Sequence, residues 1–162
     1  MKFFSALFIL CCMSTPRIAA GSLNISLDNF DRIGLKSSTK TTEQTIGKPT
    51  DIKPVADSKN LSAWVYFDKN KIDRATFIFD KATGMLLAKT WRIENGDPEK
   101  DISTAMKHYP DAHFKIRNAP WSSDFLPDEA YYEDAARGIS IKFRKKRKEA
   151  LSISWSLPEA RR

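Results

Sequence analysis

The chain has 162 residues, 41% of them hydrophobic and 29% charged, which suits one domain, or two closely joined half-domains, with a real apolar core. Its net charge of +7 suits an acidic partner surface, an anionic lipid layer or a polyanion without demanding any of them. Both cysteines, Cys11 and Cys12, fall in one apolar run near the N-terminus, so a chain cut behind that run has no disulfide and no thiol chemistry.

Met1 and Lys2 make a minimal basic start, Phe3 to Met13 is apolar, and Ile18-Ala19-Ala20 offers small residues for cleavage before Gly21. This is the pattern of a secretory leader over residues 1–20, and the run is shorter than the roughly 20 residues that span a bilayer. The protein is therefore expected to be exported, either periplasmic or associated with the outer membrane, with no transmembrane helix in the mature chain. A lipid-modified Cys11 or Cys12 is the disfavoured alternative, because Leu10 is a poor residue to precede a lipidated cysteine and Cys11, before Cys12, is better but still irregular.

From Gly21 to Asn29, Leu23, Ile25 and Leu27 alternate with polar residues, which reads as a short extended segment or a flexible lead-in before the apolar anchors Phe30 and Ile33. Ser37 and Ser38 head a helix over Thr39 to Ile46, closed by Gly47 with Pro49 beyond it. Asp51 to Asn60 reads as a polar connection, Leu61 to Phe67 as a strand and Asp68 to Asp73 as a turn. Ala75 to Trp91 is then a hairpin, with Gly84 at the left-handed position of its turn, Phe79 opposite Leu87 and Ala75 opposite Trp91. Asp97-Pro98 starts a second helix with a stripe of Ile102, Ala105, Met106 and Tyr109, stopped by Pro110. Ala112 to Arg117 reads as a strand with Phe114 and Ile116 inward, Asn118 to Glu129 as a loop, and Ala130 to Asp134 as a strand.

Ile139 to Trp155 repeats the hairpin: Phe79, Lys81, Leu87 and Trp91 fall on Phe143, Lys145, Leu151 and Trp155. The same register opposes Phe143 to Leu151, Ile141 to Ile153 and Ile139 to Trp155, and puts Lys148 where the first turn has its glycine, so that either Lys148 bears a cost in strain or the loop differs. The expected fold is α+β: two tandem helix-plus-antiparallel-sheet units, residues 21–95 and 96–162, with the helices on one face of the sheet.

The helix closed by Ile46-Gly47-Lys48-Pro49, begun at Ser38 and followed by a tryptophan-bearing meander, resembles the β-lactamase-inhibitor-protein-like fold. It is also similar to the small outer-membrane assembly lipoproteins of the SmpA/OmlA type. The resemblance implies two such units in tandem over roughly Ile33 to Trp155. The chain departs from the pattern at Lys36-Ser37-Ser38, where Gly-Met-Thr usually stands, and at Thr42, usually valine.

No residue set points to a reaction, a metal or a cofactor. His108 and His113 match no ligand spacing and read as surface histidines. No Gly-x-Ser-x-Gly occurs, and Asp124, Asp128, Glu129, Glu133 and Asp134 match neither a calcium loop nor a glycosidase pair. Binding is the better expectation, at two places. The polar face of the hairpins carries Thr90, Arg92, Lys142, Arg144, Ser152 and Ser154, which suits recognition of another envelope or secreted protein. The tip Arg144-Lys145-Lys146-Arg147-Lys148 suits anionic lipid or another polyanion; the leader disfavours nucleic acid.

Overall fold

The computed structural model describes residues 25–56, 58–68, 72–118 and 128–157. The leader with Cys11 and Cys12, and residues 119–127 of the loop after Asn118, lie outside them. Eight strands form one antiparallel sheet: β1 (Asp51–Val55), β2 (Ser58–Phe67), β3 (Asp73–Asp80), β4 (Leu86–Arg92), β5 (Lys115–Asn118), β6 (Glu129–Asp134), β7 (Ile139–Arg144) and β8 (Glu149–Ser156). Their spatial order is β1-β2-β3-β4-β8-β7-β6-β5, which reads alike from either edge. The sheet is continuous across the boundary near residue 95.

Both hairpin turns take the expected backbone. Gly84 has φ +67° and Lys148, its counterpart, φ +52°, so the lysine occupies a left-handed position that glycine fills without a Cβ penalty. Ala75 faces Trp91, Ile141 faces Ile153 and Ile139 faces Trp155 as expected. Toward each turn a bulge shifts the register by one, so Phe79 faces Leu86 rather than Leu87, and Phe143 faces Ala150 rather than Leu151. The bulge brings Leu86 and Ala150 fully under the core and leaves Leu87 and Leu151 half-exposed.

Three short helices, α1 (Leu27–Arg32), α2 (Thr39–Ile46) and α3 (Ile102–Lys107), cover the sheet face that carries Phe77, Trp91 and Ile153. Phe30 of α1 lies 5.5 Å from Phe77 and 5.6 Å from Trp91 between ring centroids. Behind α3, Tyr109 meets Trp155 edge-on at 5.6 Å. The phenol of buried Tyr66 donates to the Gly47 carbonyl at 3.1 Å, pinning the end of α2 to β2. Trp64 packs on Phe79 at 4.9 Å in one half, and Tyr132 stacks on Phe143 at 4.6 Å in the other.

The helix starts are built alike. Ser38 caps α2 through the amide of Thr41 at 3.2 Å, and Asp101 caps α3 through that of Thr104 at 3.0 Å. Just inside each cap, Thr39 donates to the Gly84 carbonyl at 3.2 Å and Ile102 to the Lys148 carbonyl at 3.1 Å, so each helix is clipped to a hairpin turn.

Several expectations are corrected. The lead-in is a helix from Leu27, because Ser26 accepts from the Asn29 amide at 3.2 Å and that cap outweighs the short alternation before it. Asp97-Pro98 heads only a 3-10 turn, Pro98–Lys100, and the α-helix starts behind Asp101. The connection after Asp51 contains β1, an edge strand whose exposed side chains and Pro54 hide its periodicity. Ile116 points to the helix side as expected but is 63% exposed, because β5 is the opposite edge of the sheet.

Candidate functional site

The face of the sheet turned away from the helices gathers most of the polar residues singled out above. Across its centre β3, β4, β8 and β7 present Thr76, Thr90, Ser154 and Ser140 in one row, a line of hydroxyls perpendicular to the strands. Thr90 and Ser154, 64 residues apart, share a hydrogen bond of 3.0 Å at the seam between β4 and β8. The neighbouring row is Arg92, Ser152, Lys142, Tyr131 and Arg117. Thr90, Ser154, Arg92, Ser152 and Lys142 therefore form one contiguous patch.

Carboxylates balance the cations of this face. Lys142 pairs with Glu129 at 2.7 Å, Arg92 with Glu94 at 2.9 Å, Arg117 with Glu133 at 3.1 Å and Arg144 with Glu149 at 3.6 Å. Some of the carboxylates between Asp128 and Asp134 are thus structural. Glu129 and Asp134 are buried on β6, and the backbone amide of His113 is the main reason the Asp134 carboxyl sits below the usual range. Most cations of this face are thus paired with a carboxylate, and Lys115 at the β5 edge adds an exposed one.

Lys145, Lys146, Arg147 and Lys148 stand apart at the β7–β8 turn with exposed side chains. The turn backbone is held from both sides. Lys145 donates to the Asp128 carbonyl at 2.8 Å, Lys146 to the Asp128 carboxylate at 3.0 Å, and the Lys148 carbonyl accepts from Ile102. The tip is a fixed projection separate from the hydroxyl row.

A polar cluster that sequence reading missed lies under the helices. Lys89, only 3% exposed, donates from Nζ to the Phe30 carbonyl at 2.7 Å and lies 3.9 Å from the Asp31 carboxylate, over the ring of Phe30. Asp31 also accepts from Tyr109 at 3.0 Å and meets Nε2 of His108 at 2.9 Å. Burial pushes Lys89 down to about 8, against the opposing effect of Asp31. Burial, with Asp31 adding to it, pushes the Tyr109 phenol far up. The ladder does signal Lys89, which shares the buried face of β4 with Trp91 two residues on. These groups tie α1 to β4 and to the end of α3. A separate cleft of about 290 Å³ beside α1 is bounded by Leu27, Arg74, Trp91 and Glu99, where Arg74 is paired with Asp97 at 2.7 Å. Among the described residues no cluster of His, Cys, Asp or Glu could hold a metal ion, and no helix is long and apolar enough to cross a membrane.

The fold and this face define an α+β, sheet-dominated protein with helices on one side of an eight-stranded antiparallel sheet. No family profile and no characterised protein sequence matches the chain. Among solved structures it is similar to an extracellular protein containing a SCP domain from Bacillus anthracis, at 13% identity and a TM-score of 0.48 over 78% of this chain and 45% of that one. It is similar also to a cysteine-rich secretory protein from Staphylococcus aureus, at 11% identity and a TM-score of 0.45, again over 78% of this chain and 45% of that one. The chain spans less than half the length of either.

Proposed function

We propose that this protein is an exported, non-catalytic binding module of the cell envelope that recognises another protein through the open face of its sheet, in envelope assembly or as an inhibitor. The observation that carries the reading is the continuous patch around Thr90 and Ser154. All three helices lie on the other side of the sheet, and the patch presents hydroxyls and charges already paired with their neighbours. A partner can cover such a surface without stranding an uncompensated ion. The patch straddles β4 and β8, which supports a tandem of two related units of the β-lactamase-inhibitor-protein-like kind, joined where Thr90 meets its counterpart.

The second reading is an anionic-lipid or polyanion binder, favoured by the exposed side chains of Lys145 to Lys148. Two measurements separate the readings. Affinity capture from the native envelope should recover one protein, lost with Ser154→Trp or Arg92→Glu and only partly reduced by salt. Sedimentation with vesicles of anionic phospholipid should be weak, and neutralising Arg144, Lys145, Lys146, Arg147 and Lys148 together should leave the capture intact. Vesicle binding abolished by that neutralisation, with capture unaffected by Ser154→Trp, would reverse the order of the two.

A further inference from the structure

The two outer strands, β1 and β5, occupy corresponding places at opposite edges of the sheet. Ile52 faces Trp64 on one side, and Ile116 faces Tyr132 on the other. Each isoleucine is followed by a cation, Lys53 or Arg117, and both isoleucines are exposed, at 57% and 63%.

The direction of the edge amides follows from the ladder. Lys81 donates to the Asn60 carbonyl and Lys145 to the Asp128 carbonyl, each at 2.8 Å. Counting along from these bonds, Ser62 and Trp64 use their N–H and C=O groups toward β3, and Ala130 and Tyr132 use theirs toward β7. Their outer neighbours, residues 52 and 54 on β1 and residues 116 and 118 on β5, therefore aim their main-chain groups away from the sheet.

On β1 both outward donors are closed. The Ile52 amide is taken by the carboxylate of Asp51 at 2.8 Å, and Pro54 has no N–H to offer. On β5 the same two places are Lys115 and Asn118, so neither device exists there among the described residues. One edge is sealed against a further strand, and among the described residues nothing takes the outward donors of the other.

We propose that β5 is a strand-addition site that takes an extended acidic segment of a partner protein. Charge complementarity selects that occupant. Lys115 and Arg117 are exposed and point to the open face, where they end the two rows that run out from Ser154 and Ser152. Ile116 points to the helix side. A segment alternating carboxylates with apolar residues would set its carboxylates against Lys115 and Arg117 and an apolar side chain over Ile116. In the Arg117–Glu133 pair the guanidinium is 64% exposed and the carboxylate 16%, so Arg117 can reach an added carboxylate from its open side while keeping Glu133. The same cations repel a second copy of this edge, which guards against self-association. The site deepens the open-face reading, since a strand added at β5 extends that face outward.

The test is a titration of the 15N-labelled processed protein with an acetylated ten-residue peptide of alternating valine and glutamate. We expect one bound peptide, slowed hydrogen exchange at the amides of Ile116 and Asn118 with none at Ile52, and weaker binding at high salt. Asn118→Pro copies the block on β1 and should weaken binding at least tenfold with unchanged circular dichroism. Asp51→Lys with Pro54→Asn should open the other edge and raise the stoichiometry to two. No binding, binding indifferent to Asn118→Pro, or protection confined to the Lys145–Lys148 turn would overturn the proposal. Capture of the native partner lost with Ser154→Trp but untouched by Asn118→Pro would overturn it while leaving the open-face reading standing.

Discussion

Replacing Lys89 by methionine tests the physical reading of the helix layer. Lowering this amine from 10.5 to about 8 corresponds to about 3 kcal/mol, at roughly 1.4 kcal/mol per tenfold change in affinity for the proton. Below pH 8 both states carry the proton and the native state bears that whole cost. Between pH 8 and 10.5 the native amine releases its proton first, the unfolded chain binds more protons, and stability rises with pH. Methionine has similar length and no charge to desolvate, but it gives up the bond to the Phe30 carbonyl, about 1 kcal/mol. Lys89→Met should therefore stabilise the protein by about 2 kcal/mol at pH 7, with the difference closing by pH 10. Urea unfolding at pH 6, 7, 8, 9 and 10 reads both curves. A wild-type curve that is flat or falls from pH 8 to 10, or a methionine variant less stable than wild type at pH 7, would refute the argument.

Above pH 10 the raised phenols of Tyr66 and Tyr109 act in the opposite sense. The unfolded chain loses those protons first, so wild-type stability should fall there, and Tyr66→Phe should reduce the fall in the same urea series. At pH 7 Tyr66→Phe should cost about 1 kcal/mol, because it leaves the Gly47 carbonyl without its phenol donor. Lys148→Gly should stabilise by up to about 1 kcal/mol by relieving a left-handed residue, whereas Gly84→Ala should destabilise by a similar amount. A guanidinium melt in which both variants shift the same way would contradict the matched turns. Ser38→Ala and Asp101→Ala should each cost about 1 kcal/mol, as lost helix caps do, and similar losses would agree with their common position.

The parts of the fold that could be read from the chain are those in which local chemistry and tertiary packing agree. Ser38, Gly47 and Gly84 mark a cap, a stop and a turn by their own conformational preferences. The alternation of Ala75, Phe77 and Phe79 records a strand with one dry face. The edges are legible only in part, for the converse reason: a strand is read over Ala112 to Arg117 and β5 forms there at Lys115–Asn118, but β1 is missed and so is the exposure of Ile116. Residues in β1 and β5 answer to solvent on most sides, so Ile52 and Ile116 lack the partners that would give their pattern meaning. The bulges beside Phe79 and Phe143 escape because alternation counts residues in pairs and cannot see one inserted. Thr90 and Ser154 could be placed on the open face from the repeat, but their contact depends on β4 lying beside β8, a pairing between distant segments that no local signal announces. Lys89 could be placed inward by period two. Its partner Asp31 could not, because α1 was hidden behind an apparently extended stretch.

Site-specific photo-crosslinking in the native envelope tests the proposed role of the open face most directly, with a benzophenone side chain placed in turn at Thr76 and Ser140 beside the Thr90–Ser154 centre, and at Ile116, Gln44 and Arg147. One discrete adduct, of the same protein, is predicted from Thr76, Ser140 and Ile116, and none from Gln44 on α2 or Arg147 at the basic turn. Adducts from Gln44 or Arg147 alone, with Thr76 and Ser140 silent, would contradict the proposed role.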